Sequence, residues 1–161
     1  MTADKTNAMR WLDAQRIPYE PLYFSPSIHS ADGVAEALRL PTSHVYKTLV
    51  VRRERGHPLL VMVAGDRELD LRKLARSIHE KSLAMATQRD AERITGLQVG
   101  GISALALPNR GFDVYLDKAA ENLEWVLVSA GKRGINLRLR VTDLVRATKA
   151  AFVEAATEPV R

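Results

Sequence analysis

A lysine stands inside the run Val45-Tyr46-Lys47-Thr48-Leu49-Val50-Val51, and no other residue in the chain is so oddly placed. In an extended segment side chains alternate, so Val45, Lys47, Leu49 and Val51 share one face. Three apolar neighbours predict that this face is buried, and an ammonium among them needs a partner or a route to water. Two readings are open. Either the stem packs and the head reaches solvent at a sheet edge, or the head stands at a pocket mouth, where it can hold a phosphate or a carbonyl oxygen.

Gly100-Gly101-Ile102-Ser103 is the second candidate, after a short strand-like piece at 97–99. Paired glycines admit positive φ and the close approach of a ligand or another backbone. Exposed N–H groups beside a serine can stabilise an ester carbonyl or its oxyanion, although a plain tight turn has the same signature. The third is Ser129-Ala130-Gly131-Lys132-Arg133-Gly134. It lacks the spacing of a phosphate loop and joins two strands, which excludes a nucleotide triphosphatase of that type. Lys132 and Arg133 are candidates to touch RNA phosphate, or the turn is simply solvated.

Other chemistries find little support. There is no cysteine, which removes thiol nucleophiles, thiolate zinc sites and disulfides. His29, His44, His57 and His79 show no metal-binding spacing, and no G-x-S-x-G elbow occurs. Asp66, Asp70, Asp113 and Asp117 read as caps or turn residues. No metal or other cofactor is expected.

Helix and strand signals mix along the chain, which predicts an α/β or α+β fold. Helices are expected over 4–15, from a Ser30 cap to Leu38, after Asp70, and from a Thr87–Asp90 capping box to Gly96. A last helix is expected after a Thr142 cap, with Leu144, Val145 and Phe152 facing inward. Strands are expected over 45–53 and 59–64, joined as a hairpin, and over 112–116, 125–129 and 135–140. The hairpins imply a mixed or antiparallel sheet. Length fits one domain spanning 1–161, with its core at about 8–152 and frayed ends at 1–4 and 157–161.

The longest apolar run, Leu59 to Ala64, is far short of the roughly 20 residues that cross a bilayer, and the N-terminus has no signal-peptide core, so a soluble cytoplasmic protein is expected. Net charge is +5, and 17 of the 24 cationic residues are arginine, which favours a polyanionic partner without naming it.

The strings VYKTLVV, TGLQVGGIS and VSAGKRG, in this order, resemble the YbaK/EbsC branch of the prolyl-tRNA synthetase-associated editing domains, and LDLRKLA between them adds to the likeness. The resemblance spans about residues 8–152. It implies a mixed, partly closed β-sheet with surrounding helices and a pocket for the aminoacylated 3′ end of tRNA. It implies deacylation of mischarged Cys-tRNA(Pro), with Lys47 as the catalytic residue. Tyr23, Tyr46, Thr48, Gly100, Gly101, Ile102 and Ser103 would bind substrate, Lys132 and Arg133 would bind tRNA, and prolyl-tRNA synthetase would be a partner. In such a site the thiol of the substrate attacks its own ester carbonyl, so the protein needs no nucleophile. Two departures stand out: Ala104 replaces the loop proline, and Asn136 follows the KRG turn where related chains carry an acid. Three alternatives stay open: editing of Ala or Ser instead of Cys, an inactive tRNA- or synthetase-binding module, and a DNA-binding regulator, for which no helix-turn-helix is visible.

Overall fold

The computed structural model describes residues 4–159. Its centre is the hairpin of β2 (Tyr46–Arg53) and β3 (Leu59–Ala64), paired antiparallel from Tyr46↔Ala64 to Val51↔Leu59. All six residues of β3 are buried, because both of its faces are covered. Leu60, Met62 and Ala64 enter one apolar cluster, and Leu59, Val61 and Val63 enter another. On the far side of β3 lie β5 (Asp113–Asp117) and then β8 (Ala151–Val153), both parallel. A short strand, β4 (Leu83–Met85), pairs with only the last three residues of β2.

A second, antiparallel sheet runs in the order β1 (Glu20–Tyr23), β7 (Ile135–Arg140), β6 (Trp125–Ser129). The expected partly closed sheet is therefore two open sheets of five and three strands, touching through a backbone bridge between Val45 and Leu127. Sequence periodicity finds strands but cannot say which share a sheet.

The main core lies between the sheets. It takes in α1 (Asn7–Ala14) through Ala8, Met9 and Leu12, and α5 (Val141–Thr148) through Leu144 and Ala147. Trp11 Nε1 ties the two helices by donating to the Ala147 carbonyl at 2.9 Å. A second cluster sits under α3 (Leu71–Ser77), and a third under α2 (Ala31–Leu38), which covers the outer face of the three-stranded sheet.

Local signals explain most helix ends. Ser30 Oγ accepts the Gly33 N–H ahead of α2, and Thr87 Oγ1 accepts that of Asp90 ahead of α4 (Gln88–Thr95). Gly96 closes α4 at φ 73°. Three expectations need correction. Thr142 lies inside α5, whose start is fixed instead by the Val141 N–H bonding to the Glu124 carbonyl. Phe152 belongs to β8 and is 37% exposed, since the chain leaves the helix at Thr148. Residues 97–99 form no strand; they are held by the Val99 N–H bonding to Glu92 Oε2. Among the described residues no helix is long and apolar enough to cross a membrane.

Candidate functional site

The site begins with a gap at the edge of β2. β4 leaves that edge at Val50, whose carbonyl accepts the Ala86 N–H, and the other sheet joins it at Val45. No described strand pairs with Tyr46 to Leu49 on this side. In an antiparallel ladder the backbone groups of successive residues point to opposite edges. The carbonyl of Val45 bonds toward the β3 side, to Gly65 N, so those of Lys47 and Leu49 do likewise. The N–H and C=O of Thr48 therefore face the gap. The Thr48 hydroxyl is also buried without a hydrogen-bond partner.

A cavity of about 450 Å³ fills the gap. Its lining is apolar at Val50, Met85, Ala86 and Ile102 and polar at Lys47, Thr48, Glu68, Ser129 and Asn136. Lys47 is a lining residue of the cavity. Its Nζ donates to the Arg67 carbonyl at 2.8 Å and lies 4.0 Å from Glu68 Oε2, with the side chain 27% exposed. An ammonium carries three N–H donors, and one of them is engaged by the Arg67 carbonyl.

Of the other residues singled out from sequence, Tyr46, Thr48, Gly100 and Ile102 line this cavity. Tyr46 is only 2% exposed and its hydroxyl has no hydrogen-bond partner. Burial, reinforced by the negative charge of Asp117, pushes its pKa well above the ordinary tyrosine value, so it stays a neutral phenol. It shapes the wall and cannot serve as a base.

Five residues fall outside the lining. Gly101 points the other way: a Cβ there would meet Arg133 N at 3.0 Å and the carbonyl carbon of Lys132 at 3.1 Å. Its own N–H is spent on the Gln98 carbonyl at 2.7 Å, which removes it as an oxyanion donor. Ser103 is 1% exposed, and its Oγ accepts the Leu105 N–H, making it the cap of a short 3-10 turn at Ala104–Ala106. Arg133 donates from Nε to the Val99 carbonyl at 2.8 Å, so it braces the glycine loop from behind. Lys132 lies in that same turn, away from the cavity wall, and Tyr23 is 55% exposed. The two-glycine signal was real, but only Gly100 (φ 93°) opens toward the cavity, packed under His29. The second glycine serves loop-on-loop packing.

Sequence reasoning missed Glu68 and the cavity roles of Ser129 and Asn136. Asn136 is 6% exposed and lines the cavity. Alternation in Ile135-Asn136-Leu137-Arg138 puts it on a polar face that reads as solvated. The face is buried because α2 covers it.

This geometry accompanies a clear kinship. The aminoacyl-tRNA editing domain model matches residues 25–147. The chain is 35% identical over 159 residues to EbsC of Enterococcus faecalis, provisionally named a Cys-tRNA(Pro)/Cys-tRNA(Cys) deacylase, covering 98% of this chain and 96% of that one. The chain belongs to the aminoacyl-tRNA editing domain family. Part of it also matches the proline–tRNA ligase of Thermodesulfovibrio yellowstonii, 38% identical over 89 residues, which is 55% of this chain and 15% of the ligase. Two solved structures share the fold. The hypothetical protein APE2540 has a TM-score of 0.86 at 22% identity, covering 94% of this chain and 99% of its own. A protein provisionally described as a trans-editing enzyme for prolyl tRNA synthetase has a TM-score of 0.80 at 24% identity, covering 96% and 99%.

Proposed function

We propose that this chain is a free-standing aminoacyl-tRNA deacylase that clears Cys-tRNA(Pro) in the cytoplasm, working as one unit alongside prolyl-tRNA synthetase. The observation that carries this reading is Lys47, beside the unpaired backbone of Thr48 in a cavity of about 450 Å³. Near full-length identity to a protein named for Cys-tRNA deacylation supports the choice of substrate.

The reaction needs little from the protein. The sulfur of the cysteinyl group attacks its own ester carbonyl carbon, forming a C–S bond as the C–O bond to the ribose breaks. The ribose oxygen leaves as its hydroxyl, taking up the proton that the thiol gave up, and the cyclic thioester is then opened by water. The developing negative charge on the carbonyl oxygen is what the site must receive. Lys47 and the Thr48 N–H are the donors on hand, held in place before the reaction starts. Holding the thiol and carbonyl together in the cavity supplies the rest.

The test is a panel of tRNA(Pro) charged with Cys, Ser or Ala, incubated with the purified chain. Cys-tRNA(Pro) is cleaved and Ser-tRNA(Pro) is largely spared, because a thiol ionises far more readily than a hydroxyl of similar size. Equal rates on Cys and Ser would remove the substrate-thiol mechanism, and no cleavage of any would leave a binding module.

A further inference from the structure

The carbonyl that holds Lys47 belongs to a peptide group whose other end is gripped by the C-terminal tail. The loop at 65–70, between β3 and α3, offers the Arg67 carbonyl to Lys47 Nζ at 2.8 Å. The next atom pair of that same peptide unit is the Glu68 N–H, which donates to Thr157 Oγ1 at 3.1 Å. A trans peptide is planar, with its C=O and N–H pointing opposite ways. Fixing the N–H therefore fixes the direction of the carbonyl. Lys47 and Thr157 sit on the two sides of one rigid plane.

The grip is more than one bond. Thr157 N–H donates back to the Glu68 carbonyl at 2.9 Å, and Arg67 Nη1 donates to the Thr157 carbonyl at 3.0 Å. Leu69 bridges Ala156, and the Asp70 N–H donates to the Ala155 carbonyl at 2.7 Å. All of these tail residues lie beyond residue 147, where the family match ends. The sequence reading expected fraying from 157 onward; at Thr157 the tail is tied instead.

We propose that Thr157 and Arg67 are positioning residues for Lys47. The tail clasps the peptide group between Arg67 and Glu68, and that clasp sets where the Lys47 ammonium stands in the cavity. Hydrogen bonds in series polarise one another, so the Thr157 acceptor also strengthens the hold of the carbonyl on Lys47. The catalytic consequence rests on Lys47 being the group that addresses the substrate.

Thr157→Val keeps the side-chain shape and removes the acceptor; Thr157→Ser keeps the acceptor and is the rescue. Arg67→Met breaks the clasp from the other side while leaving the Arg67 carbonyl in place. Two readouts are taken on each folded variant: the rate at which limited acetic anhydride labels Lys47, normalised to the other lysines by peptide mass spectrometry, and kcat and KM on Cys-tRNA(Pro). Thr157→Val and Arg67→Met label Lys47 severalfold faster and lose about tenfold in kcat, or roughly 1.4 kcal/mol, at unchanged KM. Thr157→Ser matches the wild type. The double variant loses little more than either single one, because both act through one clasp. Wild-type labelling of Lys47 in folded Thr157→Val and Arg67→Met proteins would overturn the proposal. Should the wild type cleave no charged tRNA, the proposed function falls, and Lys47 labelling alone still decides whether the clasp exists.

Discussion

Replacing Lys47 by methionine separates what the ammonium does for the fold from what it does for the reaction. Methionine keeps an unbranched stem of similar volume, so no core cavity opens. The fold loses one charge-assisted hydrogen bond, to the Arg67 carbonyl, with the lysine side chain 27% exposed. A hydrogen bond to a charged group contributes about 1.5–3 kcal/mol. Water from the cavity can replace it on the carbonyl, which brings the expected loss to about 1 kcal/mol. The ion pair with Glu68 adds little, at 4.0 Å and with that carboxylate side chain 71% exposed. On the proposed function the reaction would lose a preplaced donor to the developing oxyanion, typically about 2.7–4 kcal/mol, or roughly 10²–10³ in rate. The assay pairs single-turnover deacylation of Cys-tRNA(Pro) with urea unfolding of the same sample. A folded Lys47→Met protein that deacylates within about threefold of the wild type would refute the reasoning. So would a stability loss above about 3 kcal/mol, which would make the lysine a structural residue.

Three further outcomes are expected. Gly101→Ala pushes a Cβ against the backbone of Lys132 and Arg133 at 3.0–3.2 Å, and should cost about 1–3 kcal/mol of stability in chemical unfolding. Asn136→Leu removes a buried amide from the cavity lining; it should leave the melting temperature within a few degrees and lower kcat/KM for Cys-tRNA(Pro) by about tenfold, or roughly 1.4 kcal/mol. Tyr46 ionises near 10.0 in the unfolded chain and only at a raised value when folded, so above pH 10 the unfolded state sheds a proton that the native state keeps. Stability present below pH 10 should therefore fall as pH rises, by up to about 1.4 kcal/mol per pH unit from this group. Tyr46→Phe should remove that share of the alkaline loss, read by unfolding at pH 8 and pH 11.

The elements legible in the sequence are those whose cause is local. The Ser30 and Thr87 caps and the β2–β3 hairpin depend on neighbouring residues, and they stand where the residues put them. Lys47 was legible because it violates the pattern of its own strand. β4 and β8 were not, since three residues give no period, and each strand exists only because a longer strand offers it an edge. Arg133 shows a different limit. An arginine in a turn looks like a phosphate ligand from sequence, and only the tertiary approach of Val99 gives its Nε another task. The cavity lining follows the same logic: Ser129, Asn136 and Glu68 share a cavity with Lys47 through tertiary packing, which no single segment encodes.

The Val45–Leu127 bridge makes the cavity a seam between two sheets, with Lys47 and Thr48 on one bank and Ser129 and Asn136 on the other. A ligand that touches both banks acts as a strap across the junction. At a hundred times its dissociation constant it would add about 2.7 kcal/mol to the stability of the whole molecule. Behind the seam, Leu60 of one sheet and Val128 of the other belong to the same core. On the proposed function, discrimination between side chains that differ by one atom would then depend in part on residues the substrate never meets. A single methyl gained or lost in that core would re-gauge the opening, and selectivity could drift while every residue of the site stayed the same.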